Sequence, residues 1–172
     1  MSKADGKYIV IKFTQPLIGD PSETYPLAVE PTASTDFVYA SSSTIRTYGW
    51  RFTVVKDFTI THLRLYENKA DIVKMHLWDN ATSTLIQSAT FSTAALAKWN
   101  EYELPTPVDV VAGRTYTVST NAPIVAGYQR YNNPTVDINA HPRFYTFVNG
   151  YYSAGADTLP TTVSANPVVS VG

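Results

Sequence analysis

The chain has 172 residues, 44% of them apolar and 16% charged, which is enough apolar surface for one core and too little charge for a disordered chain. A formal net charge of −1 provides no field to draw in nucleic acid or an anionic membrane. Without cysteine there is neither a disulfide framework nor a thiolate metal site, and 12 tyrosines against 2 methionines favour pleated surfaces over helices.

Lys7 to Gln15 alternates, with Tyr8, Val10 and Lys12 on one side and Ile9, Ile11 and Phe13 on the other, so a strand is expected there. The same apolar run is too short for a signal-peptide core and is broken by Lys12, and no stretch is long enough to span a bilayer as a helix. A soluble product is expected, one that reaches the outside of a cell only if something else carries it there. Pro16 ends the strand, and residues 20–35, with three prolines and little periodicity, read as an extended arm. Asp36 to Ala40 is a short strand before the run Ser41-Ser42-Ser43.

From Trp50 the pattern sharpens. Trp50, Phe52 and Val54 share one phase, Lys56-Asp57 makes a tight connection, and Phe58 to Tyr66 follows as a strand. Within it, Phe58 and Ile60 fall on one phase and Leu63 and Leu65 on the other. A bulge near Thr61-His62 reconciles them, because one extra residue flips the faces. Ile72 to Asp79 places Val73, Met75 and Leu77 together, and Asp79-Asn80-Ala81-Thr82 is a turn. Strands are predicted over Thr84 to Phe91, Trp99 to Leu104, Val108 to Val111, Thr115 to Thr120, Gly127 to Tyr131 and Arg143 to Tyr152. Only Ser92 to Lys98 could form a helical turn. The spacing predicts an all-β fold, an antiparallel sandwich. Its organisation is a strand and arm over 1–35, a sandwich domain over 36–160 and a tail over 161–172.

Several side chains are candidates for chemistry. His62 and His76 face each other if the strands at 58–66 and 71–79 form a hairpin that sets Leu63 opposite Met75; they lie apart if those strands belong to different sheets. Arg64 and Lys74 would flank the pair and oppose a cation, so a basic strip is the reading and no metal is expected. Trp50 and Trp99 are read as core. Trp78 is out of phase with Val73, Met75 and Leu77, which makes it the candidate for an outward, sugar-stacking ring. Tyr128, Arg130, Tyr131, Tyr145, Tyr151 and Tyr152, interleaved with asparagines, have the composition of a contact surface, for protein rather than sugar. His76 is placed on the exposed phase. No nucleophile elbow, glycine-rich phosphate loop or flanking carboxylate pair is present, and Glu101 with Glu103 reads as solvated surface. Neither an enzyme nor a cofactor is expected.

The residues Trp50-Arg51-Phe52, Ile60 to Tyr66, His76-Leu77-Trp78, Thr84-Leu85-Ile86, Ala89-Thr90-Phe91, Trp99, Pro107 to Val110, Ala112-Gly113 and Thr115 to Ser119 carry a resemblance. Over about residues 48–131 the chain resembles small bacterial β-sandwich modules of unassigned function, typically appended to cell-surface adhesins and glycan-active enzymes. The resemblance implies a jelly-roll-like sandwich in a binding or spacer role, with no catalytic residues to carry over. The opening Tyr8 to Phe13 with Pro16 to Asp20 is similar to the start of some bacteriophage structural proteins.

Together these readings suggest a virion subunit assembled in the host cytoplasm, in a decoration, head-fibre or tail-associated position. Other virion proteins and further copies of the chain are the expected partners, with a host surface glycan as a further one and neither nucleic acid nor membrane. The alternative is a carbohydrate-binding module of a bacterial surface or secreted system.

Overall fold

A computed structural model of the chain describes residues 9–13, 37–40, 45–67, 72–92, 98–122, 128–131 and 144–163. These form eleven strands: β1 (Ile9–Phe13), β2 (Phe37–Ala40), β3 (Arg46–Val54), β4 (Phe58–Glu67), β5 (Ile72–Asp79), β6 (Thr84–Ser92), β7 (Lys98–Val110), β8 (Thr115–Ala122), β9 (Tyr128–Tyr131), β10 (Tyr145–Ala154) and β11 (Thr162–Val163). All pairings are antiparallel: a three-stranded sheet β1-β4-β7, a six-stranded sheet β11-β10-β3-β8-β5-β6, and a ribbon of β2 with β9. The fold is the expected all-β sandwich. Of the helical turn predicted over Ser92 to Lys98, Ser92 ends β6 and Lys98 begins β7, while residues 93–97, the arm at 20–35, Ser41-Ser42-Ser43, His141 and residues 164–172 lie outside the described residues.

Alternation sorts the core. Tyr48, Trp50, Phe52 and Val54 of β3 face inward beside Tyr116 and Val118 of β8 and Met75 and Leu77 of β5. Opposite them lie Phe58, Ile60, Leu63, Leu104 and Val110 from the three-stranded sheet. Ile60 and Leu63 are both fully buried although they are three residues apart. The expected bulge makes this possible: β1 pairs Lys12 with His62 but Phe13 with Ile60, leaving Thr61 as the extra residue that turns the strand over.

One connection differs from the sequence reading, and a second decides between two arrangements that it left open. The stretches expected over Trp99 to Leu104 and Val108 to Val111 join in one strand, β7, which runs through Pro105 and Pro107 and ends at Val110. Among the described strands β7 is the edge of its sheet, where a residue without an N–H leaves no ladder bond unmade. The four residues Leu104 to Pro107 oppose Thr61 alone, between the pairs Glu103–His62 and Val108–Ile60. In addition, β4 and β5 are not a hairpin. They belong to different sheets, so Leu63 does not pair with Met75, and His62 and His76 are separated. The strand at residues 9–13 belongs to the three-stranded sheet, and residues 162–163 of the expected tail pair with β10.

The turn from β7 to β8 is held by Gly113, whose φ of 81° lies in the left-handed region, and its N–H donates to the Val54 carbonyl. Asp57, in the connection from β3 to β4, accepts from the Ala112 N–H at 2.6 Å. These bonds bind the two connections together at one end of the sandwich.

Candidate functional site

The outer face of the six-stranded sheet carries Thr47, Gly49, Arg51 and Thr53 of β3, Thr115, Thr117, Ser119 and Asn121 of β8, Lys74, His76 and Trp78 of β5, and Tyr151 of β10. A polar face of this kind would normally be wet. Instead Thr47, His76, Thr117 and Ser119 are fully buried. Residues 155–161, directly after β10, cross this face as a strap. Gly155 starts it in the left-handed region and donates from its N–H to the Ile45 carbonyl. Thr47 Oγ1 lies 3.0 Å from both the Gly155 carbonyl and Asn121 Oδ1, and its one proton serves either. Arg51 Nη2 donates to the Pro160 carbonyl at 3.1 Å, and Ser153 Oγ to the Leu159 carbonyl at 2.9 Å.

Asp157 is the centre of the strap. Its carboxylate accepts from Lys74 Nζ and from Asn121 Nδ2, each at 2.7 Å, and its N–H donates to Asn121 Oδ1. The hydrogen bond from Lys74, then that from Asn121, hold its carboxyl below the usual carboxylate range. Lys74 and Asp157 are both about two-fifths exposed, so the pair itself contributes only about 0–1 kcal/mol. His76 lies beneath it. Its Nε2 is 3.0 Å from Asp157 Oδ1 but out of line for a hydrogen bond, and among the described residues neither ring nitrogen has a hydrogen-bond partner. Desolvation lowers its pKa to about 4, outweighing the attraction of Asp157, while Lys74 pushes it further down. At neutral pH His76 is therefore uncharged.

Ser119, His76 and Asp157 are the three residue types of a nucleophilic triad, but the geometry is structural. Ser119 Oγ accepts the Trp78 indole N–H at 2.9 Å, His76 makes no hydrogen bond to it, and both are sealed from solvent. A nucleophile needs a base in hydrogen-bond reach and a space for substrate.

The placements on this face correct two expectations. His76 is on the phase expected to be exposed, yet it is 0% exposed because the strap covers that phase. Trp78 does point away from Met75 and Leu77, but at 6% exposure, edge-on to His76, it offers no ring to a sugar. Among the tyrosines, Tyr145 is inside the core against Trp50 and Phe52, where burial pushes its hydroxyl up to about 12. Tyr151 is buried on the outer face under the Arg51 guanidinium, 3.8 Å from the ring centroid. Tyr152 is half-buried, tilted against the Tyr48 ring with Arg46 over its own. These three rings therefore do not form one open surface. Tyr128, Arg130 and Tyr131 lie in β9, and their side chains, like the Trp99 ring and Asn132-Asn133, lie outside the described residues.

What remains open on this face is a shallow groove of about 490 Å³ lined by Arg51, Thr53, Asn80, Ala81, Gly113, Arg114, Thr115 and Val148. Residues 31–168 match the family described as a domain of unknown function, DUF4082. The chain belongs to that family. The DUF4082 match extends beyond residues 48–131 on both sides and takes in the strap, the latch at Asp157 and every residue of the groove, while β1 lies outside it. No curated protein matches the chain. Sequence reading missed the groove because Arg51, Asn80 and Arg114 are scattered along the chain. The only local signals were an arginine between Trp50 and Phe52 and the Asp79-Asn80 turn.

Proposed function

We propose that this DUF4082 chain is a non-enzymatic structural subunit that works through protein–protein contacts in a larger assembly. The setting proposed is a bacteriophage virion, in a decoration, head-fibre or tail-associated position, with other virion proteins and further copies of the chain as partners. The observation that carries the reading is how the outer face uses its reactive side chains. His76, Ser119, Lys74 and Asp157 are all engaged in or under the strap, so these side chains line no cleft, and the open groove of this face lies apart from them. Sealing of Trp78 and the capping of Tyr151 favour protein contact over sugar contact, since base-free stacking of a sugar ring needs an open aromatic face. The finer virion assignment rests on the similarity of the opening residues 8–20 to phage structural proteins.

Sedimentation velocity over a range of protein concentrations tests this reading. A discrete oligomer is expected. A monomer at every concentration would overturn it, and retention of that monomer on a polysaccharide column would put the carbohydrate-binding reading in its place.

A further inference from the structure

The groove on the outer face is a set of hydrogen-bond donors with few acceptors to meet them. Arg51 is fixed on three sides: its guanidinium lies over the Tyr151 ring, Nε donates to Thr117 Oγ1 at 3.3 Å, and Nη2 donates to the Pro160 carbonyl. None of these partners is a carboxylate, and among the described residues no other group neutralises the charge of Arg51 or takes its remaining N–H groups. Thr117 Oγ1, which accepts from Arg51, passes its own proton to Asn80 Oδ1 at 2.8 Å. With Thr117 as the donor, the Asn80 oxygen faces Thr117 and Nδ2 points away from it. Nothing among the described residues accepts from Nδ2.

The groove's other members reinforce the bias. Arg114 places a second guanidinium there, 44% exposed and paired through Nη2 with Asp79 Oδ2 at 3.0 Å. Asp79 is fully engaged, since its Oδ1 takes the Ala81 N–H. Thr53 and Thr115 share one hydrogen bond between their hydroxyls, which leaves one further proton to donate. Two cations against one committed carboxylate give the groove a net positive charge. An arginine held rigid before its ligand arrives also loses little freedom on binding.

We propose that this groove binds an acidic segment of a partner polypeptide, with a carboxylate received by the Arg51 guanidinium and the Asn80 amide. The inference deepens the structural-subunit reading and rests on it for the class of partner. An acidic sugar offers the same carboxylate, but no free ring face borders the groove: Tyr151 is capped by Arg51 and Trp78 is sealed. Ala81, Gly113 and the 44% exposed Val148 form a small-residue, partly apolar border that suits a peptide.

The test is a fluorescence-anisotropy titration of the full chain with a labelled hexaglutamate peptide, with hexaserine as control and trigalacturonate as competitor. Hexaglutamate should bind, hexaserine should not, and the affinity should fall as salt is raised. Arg51→Gln should weaken binding about tenfold, the loss of one charge-assisted contact. Asn80→Asp, which keeps the acceptor for Thr117 but sets a negative charge in the groove, should do at least as much without disturbing the contact with Tyr151. Lys56→Gln, an exposed cation outside the groove, should leave the affinity unchanged. Failure of hexaglutamate to bind, or equal binding by the Asn80→Asp variant, overturns the proposal. Tighter binding of trigalacturonate also overturns it, in favour of an acidic glycan. An oligomer that ignores the peptide removes the groove and keeps the structural reading, whereas a monomer that binds it does the reverse.

Discussion

On the inner face of the six-stranded sheet, Phe52, Leu77 and Val118 are shut from water by a second sheet; on the outer face, Thr47, His76 and Ser119 are shut from water as fully by a seven-residue strap. The inner face is apolar and its burial is driven by area removed from water. The outer face is polar, and the strap closes over it by supplying partners to hydroxyls and amides. The two kinds of burial should fail differently when disturbed. Apolar packing answers to volume, and the strapped face answers to backbone clearance and protonation.

The largest effect expected is on the inner face. Phe52→Ala removes a fully buried ring that touches Trp50, Tyr116 and Tyr145 and should cost about 3–5 kcal/mol in urea unfolding. A loss below about 1 kcal/mol would mean that the two sheets do not meet there.

On the outer face the comparable change is an addition. A Cβ at Gly49 would lie 2.4 Å from the Val118 carbonyl oxygen and 2.7 Å from Ser119 Cβ. Backbone cannot yield as a side-chain tip can, so Gly49→Ala should cost about 1–3 kcal/mol, read from the same unfolding curves. A neutral outcome would show that β3 and β8 are not in the register Gly49–Ser119.

Protonation should divide the faces more sharply. His76 has a folded pKa of about 4 against about 6.5 when unfolded, so the folded state favours the neutral ring. As pH falls below about 6.5 the unfolded chain takes up a proton that the folded one refuses. Stability should therefore decline from pH 6.5 to about 4, by roughly 3 kcal/mol in all. Asp157 acts in the same direction at lower pH, because its carboxyl is held below its ordinary value and the stability it adds is lost as acid protonates it. Melting temperatures of the native chain and of His76→Gln, compared at pH 7 and pH 4.5, check this. The native protein should lose the larger part of that roughly 3 kcal/mol between the two pH values, and the variant much less. Parallel declines would place the effect elsewhere.

The smallest effect is a gain. Thr120 faces inward between Tyr48 and Met75, 1% exposed, and its hydroxyl has no hydrogen-bond partner among the described residues. Thr120→Val keeps the shape and removes the orphan, and should raise stability by about 1 kcal/mol in denaturant melts. A loss would mean that the hydroxyl has a partner after all.

The inner face was legible in the sequence because alternation of Trp50, Phe52 and Val54, or of Met75 and Leu77, reports which side is apolar. The bulge at Thr61 was legible for the same reason, since Ile60 and Leu63 could not otherwise share a core. The outer face was not. A polar phase reads as solvent-facing, and nothing near His76 or Trp78 announces that residues 155–161, some eighty positions later, will lie across them. The arginines of the groove were equally hidden, because sheet pairing and not sequence spacing brings Arg51, Asn80 and Arg114 together.

The prolines of β7 have a bearing on how such molecules meet. Pro105 and Pro107 have no N–H with which to pair a further strand, and they sit where Leu104 to Pro107 swell away from the ladder. An approaching chain cannot extend the three-stranded sheet across that stretch, so this flank resists the open-ended stacking that turns soluble sandwiches into fibres. β6, at the end of the other sheet, has neither a proline nor a charged residue along Thr84–Ser92. Of these two neighbouring edges, linked where Gln87 Nε2 of β6 donates to the Thr106 carbonyl of β7, the described residues guard β7 and not β6, an asymmetry that makes any strand-to-strand association directional.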